Sequence, residues 1–395
     1  MKKIVALVLA LVLCLTAAAS LADGIAKEDI KLGVITLHDE LSTYDKNFID
    51  AVKQAAAELG LAEDQIKIIS GIPESEACYD TAAELAEDGF NIVFADSFGH
   101  EDFMIKAAKE FENVEFCHAT GTKAHTEKLS NYHNAFASIY EGRFLAGVAA
   151  GLKLKEIQEA GNLKGEKPLM GYVGAFPYAE VKSGYTSFYL GAKSIVPDVE
   201  MKVIFTQSWY DEEGEKTAAK ALIAANCDLI SQHADSWGAP TACEEAGIPN
   251  ISYNMATVEK CPNTFIVASR INWVPYFKYI IEQRIAGEAI AVDWTGTIET
   301  DSVLLTDVNE QAAAEGTVAK IEEVKAELLA GTRKVYDTAT FTVGGEALTT
   351  YLADVDDMGD FVPETEAIAD GYFHESEMRS APYFDIDIDG IEILN

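Results

Sequence analysis

Short apolar runs alternate with longer stretches in which apolar side chains return at a helical period, and this rhythm persists from residue 30 to about residue 285. Runs at 30–36, 65–70, 90–95, 114–118 and 132–138 predict strands. The run at 90–95 is almost wholly apolar, as expected of a parallel strand buried on both faces. Between the first two runs, Phe48, Val52, Ala55, Ala56 and Leu59 mark the buried stripe of a helix that Gly60 stops. Helices over 77–87, ended by Gly89, and over 103–111 complete the pattern of a doubly wound sheet. A helix over 140–151 follows, whose small residues permit close packing; the polar segment 156–167, with Gly161 and Gly165, then predicts a linker. The second unit opens with a strand at 169–176, ends with strands at 248–253 and 264–269, and returns through a helix over 273–285. The fold class is therefore α/β, with a first lobe at 23–160 completed by about 286–335 and a second lobe at 161–285. The acidic region 336–395 is expected to pack on the first lobe or to be partly irregular.

The stretch 203–238 carries the most chemistry. One strand at 201–206 ends in Ser208-Trp209-Tyr210-Asp211, and another at 227–231 ends in Gln232-His233-Ala234-Asp235-Ser236. Ala218, Ala219, Leu222, Ile223 and Ala225 mark a helix between them. A right-handed crossover makes such strands parallel and opens their carboxyl ends onto one edge, where ligands bind in open α/β sheets. Indole, phenol, amide and carboxylate groups thus converge where a planar heterocycle could be stacked and hydrogen-bonded.

Composition narrows the setting. Residues 1–22 combine Lys2 and Lys3, an apolar core and small residues at Ser20 and Ala22, the pattern of a secretory signal peptide. Lipid attachment at Cys14 is the competing reading, against which Leu13 stands where a small residue is required. A formal charge of -35 repels nucleic acid and anionic lipid, which excludes those partners while leaving neutral bases and nucleosides. Five cysteines remain beyond the signal, without framework spacing; a Cys243–Cys261 bridge is the one pairing left open. The histidines show no ligand-spaced pair, so a metal would need His38 or His233 to meet carboxylates in space. Neither a metal, a cofactor nor a catalytic residue is expected.

Four segments together resemble the basic membrane protein family, the substrate-binding proteins of ABC importers for purines and nucleosides. They are the run from Tyr140 to Gly147, the run from Gly171 to Val181, the paired strand ends at 208–211 and 232–236, and Ile271-Asn272-Trp273. The resemblance implies a type I periplasmic-binding-protein fold, two doubly wound Rossmann-like lobes joined by crossover strands, with a purine-like ligand in the interlobe cleft. It also implies an ABC permease and ATPase as partners and a periplasmic or cell-surface location, with membrane contact only through the permease or a lipid at Cys14. The chain departs from the purine-base branch at Ala179, where a second proline is usual, and at Met255-Ala256-Thr257, where an acidic residue is usual.

Each candidate ligand contact has a plain structural alternative. Trp209 suits face stacking on a purine or caps a local core; Asp235 accepts from a ring N–H or caps the helix that starts near Trp237. Glu180 is an acceptor or a helix N-terminal charge. In the first lobe Tyr44 precedes the first helix and Phe98 follows a buried strand, Phe98 as the second slice of an aromatic sandwich or as core filler. Asn254 offers a donor and an acceptor where the second lobe meets the crossover, and Trp273 contacts ligand or caps a helix. Arg143 is expected to form a structural ion pair. Two rival functions share these residues: a ligand-sensing partner of a signalling receptor, and a nucleoside hydrolase using Asp211 and Asp235.

Overall fold

The computed structural model describes residues 24–355 and 363–395, so the expected signal segment and Cys14 lie outside the described residues. In the first lobe, strands β1 (Leu32–Ile35), β2 (Ile66–Ile69), β3 (Ile92–Ala95), β4 (Glu115–Ala119) and β5 (Tyr132–Ala137) are linked by helices α1 (Thr43–Leu59), α2 (Glu76–Glu87) and α3 (Glu101–Glu110). Gly60 ends α1 in the left-handed region, at φ 65°, where its backbone N–H returns to Ala56 and Ala57. These strands are parallel in the order β5-β4-β3-β1-β2, and strands β1 and β3 are completely buried.

The second lobe repeats the plan. Strands β6 (Leu169–Gly174), β7 (Glu200–Phe205), β8 (Leu229–His233), β9 (Asn250–Tyr253) and β10 (Phe265–Ile271) run parallel in the order β10-β9-β8-β6-β7. Both sheets thus reverse their winding at the same place, between β1 and β3 and between β6 and β8. At such a switch point the connecting loops diverge and leave a crevice at the carboxyl ends of the strands. The strand-helix-strand unit read around 203–238 is present with helix α6 (Glu212–Ala224), but β6 lies between its two strands.

The chain changes lobe earlier than the polar segment 156–167 implies. Helix α4 (Ile139–Glu159) runs into that segment and packs against α5 (Ala179–Lys193) of the second lobe. The helices meet backbone to backbone: a Cβ on Gly147 would lie 2.0 Å from the Phe188 carbonyl oxygen, and one on Gly191 2.1 Å from that of Phe144. A second crossing follows β10, where α8 (Val274–Ala286) packs on α1 and β11 (Asp293–Gly296) extends the first sheet beside β5. A third sends β12 (Val303–Leu305) back to pair antiparallel with β10, and helix α9 (Thr317–Leu329) then packs on α4.

The acidic C-terminal region corrects the expectation that it packs on the first lobe. Its last strand, β13 (Ile391–Ile393), joins the second sheet in parallel beside β7, and the Asn395 side chain pairs with both backbone groups of Phe205 at 2.8 Å. Lys182 holds Asp385 at 2.7 Å and Asp387 at 3.2 Å, and Tyr336 bonds Ser183. One foot reaches the first sheet, where the Ser380 N–H donates to Asp293 at 3.0 Å. The open edge of β7 supplied unpaired backbone groups that a strand satisfies better than water does. Cys78, Cys117, Cys227, Cys243 and Cys261 are all buried free thiols, so the Cys243–Cys261 pair is unbridged.

Candidate functional site

The crevice at the two switch points encloses about 380 Å³ of non-atom space, open solvent at its mouth included. Tyr44, Phe98, Glu180, Trp209 and Asp235 line it, together with Leu37, His38, Asp45, Ser97, Thr120, His233 and Tyr253.

The first-lobe wall is held by its own hydrogen bonds. Ser42 caps α1 and donates from Oγ to Asp45 Oδ2 at 2.5 Å, while the His38 backbone N–H donates to Asp45 Oδ1 at 2.7 Å. Burial pushes the Asp45 carboxyl up, but these bonds and the His38 ring, 3.5 Å from Oδ2, outweigh it and leave the group below its ordinary value. Asp96 lies behind it and is pushed well up, by burial first and then by the Asp45 charge. The Tyr44 hydroxyl donates to the Asp96 carbonyl at 2.8 Å.

The second-lobe wall is aromatic at the rim and acidic within. Trp209 packs edge-on against Phe176, with centroids 5.0 Å apart, and lies 6.0 Å from Tyr178. Glu180, in the first turn of α5, places Oε1 3.3 Å from His233 Nε2. Burial holds the His233 imidazole below its ordinary value against the pull of Glu180, and its ring lies 4.5 Å from that of Tyr253.

Asp235 is 5% exposed, and no hydrogen bond to its carboxylate is found among the described residues. Burial raises its carboxyl well above the ordinary value, helped by the charges of Asp45, Glu215 and Glu180. The capping role weighed for it belongs to its neighbour: Ser236 Oγ accepts from the Gly238 N–H at 3.0 Å, at the start of α7 (Gly238–Ala246).

The lobes touch across the cavity. The Thr43 N–H donates to the Asp235 carbonyl at 2.8 Å, Asn47 Nδ2 donates to Asn254 Oδ1 at 3.0 Å, and the rings of Phe98 and Tyr178 meet at 5.5 Å. This is a closed arrangement.

Two expected contacts lie elsewhere. Trp273 is 1% exposed and stacks on Phe48 at 4.4 Å in the first-lobe core, because α8 returns to that lobe and carries it inward. Asn254, at φ 64°, is buried behind the wall as an interlobe latch to Asn47. Arg143 has no carboxylate partner among the described residues: its guanidinium lies over Tyr253 at 4.5 Å and donates to the Gln232 carbonyl at 2.7 Å. His38 and His233 do meet carboxylates, but one each, and no group of three metal-ligating side chains is found among the described residues. The strand-end rule that found Phe98 would have found Thr120, which follows β4; Leu37 and His38 follow β1 in the same way.

Chemically, the cavity offers flat apolar surface and several carboxylates. It suits a planar ligand rich in N–H donors and repels phosphate. The family model for Bmp, the PnrA-like ABC transporter substrate-binding proteins, matches residues 32–338 and stops before the acidic tail. A protein of Brucella abortus (strain 2308) named as a purine-binding protein is 34% identical over 257 residues, 64% of this chain and 68% of its own length. One of Haloferax volcanii named as an ABC transporter glucose-binding protein is 29% identical over 242 residues, 61% of this chain and 58% of its own length. Among solved structures, an ABC transporter solute-binding protein from Conexibacter woesei DSM 14684 shares the fold, with TM-score 0.61, 18% identity, and coverage of 77% of this chain and 98% of that one.

Proposed function

The chain belongs to the Bmp family of PnrA-like ABC transporter substrate-binding proteins, and from that premise we propose that its cleft closes on a purine base or nucleoside for delivery to the permease. Proteins of this kind work outside the cytoplasm; we assign export to the signal peptide read in residues 1–22. The observation that carries the ligand reading is the buried Asp235 carboxylate, which has no hydrogen-bond partner among the described residues and faces a cavity walled by Trp209 and Phe98. A buried polar group left unpaired is costly, and a ring N–H is the partner that would satisfy it. The relative named as purine-binding supports the same class.

Delivery needs two states. A ligand touched by Trp209 and Asp235 from one lobe and by Tyr44 and Phe98 from the other favours closure only through its extra affinity for the closed form. Hydrolysis finds no support in the geometry: the Asp211 side chain caps α6, accepting from the Gly214 N–H at 2.9 Å, and does not line the cavity.

Calorimetry with adenine, guanine, their nucleosides, adenosine monophosphate and glucose tests the reading. Binding of bases or nucleosides without the phosphate ester is expected. Binding of glucose alone would replace the purine assignment with a sugar.

A further inference from the structure

We propose that Glu215 is a positioning residue that clamps together the two loops carrying Trp209 and Asp235, and so sets the affinity of the site without touching ligand. The inference rests on the reading that those two side chains contact the ligand.

Glu215 lies one turn into α6 and is completely buried. Its Oε1 and Oε2 each lie 3.2 Å from the Ser236 N–H, and Oε1 accepts from the Asp211 N–H at 3.3 Å. One carboxylate thus holds the peptide after Asp235 and a peptide two residues past Trp209. The Asp235 N–H donates to the Trp209 carbonyl at 2.9 Å, which joins the same loops from the cavity side. Since the Asp235 carbonyl also accepts from Thr43 of the other lobe, the clamped loop faces ligand with its side chain and the closing lobe with its backbone.

Helix α6 does not need this carboxylate as a cap, because Asp211 already accepts from the Gly214 N–H. Burial raises the Glu215 carboxyl to about 7, with Asp211 contributing in the same sense. The titratable groups facing it are Asp211, Tyr210 and Asp235, and no salt bridge to it is found among the described residues. Ionised, it accepts from both loops; protonated, one oxygen becomes a donor and the clamp weakens. The sign for stability is opposite. A carboxyl raised in the folded state favours folding below its unfolded value of about 4.3 and loses that contribution as pH rises through about 7.

The test is hydrogen exchange of the ligand-free protein, compared between wild type, Glu215→Gln and Glu215→Asp. At pH 8 Glu215→Gln should speed exchange at Asp211 and Ser236 together by about tenfold, the size of losing one charged hydrogen bond. Its melting temperature should be equal or higher, because a buried charge is removed. Adenine affinity should fall by a similar factor at pH 8, and the wild-type fall on acidification through about pH 7 should flatten. Glu215→Asp keeps the charge but is too short to reach both loops, so it should free at least one of them; it carries the test should the Gln variant unfold. Unchanged exchange at both amides, or a lowered melting temperature with unchanged adenine affinity and pH profile, would overturn the proposal. Failure of wild type to bind any purine would instead sink the ligand reading, while the exchange result still judges Glu215.

Discussion

The two lobes carry the same strand order to the same switch point, yet the aspartate that each presents to the cavity, Asp45 and Asp235, is treated in the opposite way. In the first lobe Asp45 is saturated, with Ser42, the His38 backbone and the His38 ring all directed at it. In the second lobe the Asp235 carboxylate has no hydrogen-bond partner among the described residues. A saturated carboxylate shapes a wall; an unsatisfied one waits for a donor. On the proposed reading, Asp235 supplies the acceptor for the ligand while Asp45 fixes the shape of the first-lobe wall.

The largest effect expected is one of stability and marks the boundary between wall and core. Trp273→Ala should cost about 3 to 5 kcal/mol in chemical denaturation, because it empties the stack on Phe48, and should alter affinity only through lost stability. Asp235→Ala should weaken purine binding by about a hundredfold, the upper end for a charged hydrogen bond, with the fold intact by circular dichroism. An affinity within threefold of wild type would move recognition to the first lobe. Trp209→Ala should weaken binding by about tenfold or more, in line with about 1 to 3 kcal/mol per stacked base; unchanged calorimetric affinity in the folded variant would remove Trp209 from the site. Next comes a difference in sign. Asp45, lowered in the folded state, contributes stability above its unfolded value and loses it as pH falls through the folded one. Asp235, raised in the folded state, contributes below its unfolded value and loses stability as pH rises through the folded one. At neutral pH, Asp45→Asn should therefore destabilise and Asp235→Asn should not, as denaturation from pH 3 to 8 would show; equal signs would erase the contrast between the lobes. Smallest is Tyr44→Phe, which loses one neutral hydrogen bond to the Asp96 carbonyl and should change affinity by less than about tenfold.

Much of the fold was legible because its inner strands are buried on both faces. An apolar run such as 92–95 between helical stripes has few other solutions, and each predicted run in the two lobes corresponds to an observed strand. The cavity-lining places of Tyr44, Phe98, Glu180, Trp209 and Asp235 were legible for a related reason: in a parallel sheet every strand delivers its following loop to the same edge. Trp273 and Asn254 also follow strands, and there the rule stopped discriminating. The first is turned into the core by the return of α8, and the second is drawn behind the wall by Asn47. Glu215 gave only half a signal: the Asp211 amide lies just before its own helix, but the Ser236 amide belongs to a loop far along the chain.

By itself, the sequence determined the order of strands and helices, the edge on which the loops gather and the kind of groups they carry, because hydrophobic period and strand polarity are local properties. Only the tertiary structure decided which lobe owns α4 and the acidic tail, which tryptophan stacks in the core and which lines the cavity, and which cavity aspartate keeps its carboxylate without a hydrogen bond among the described residues. Those outcomes depend on contacts between residues far apart in the chain, such as Tyr336 with Ser183, Asn47 with Asn254 and Thr43 with Asp235. A local pattern cannot encode whether a buried carboxylate will find its donor within the protein or must take it from a ligand.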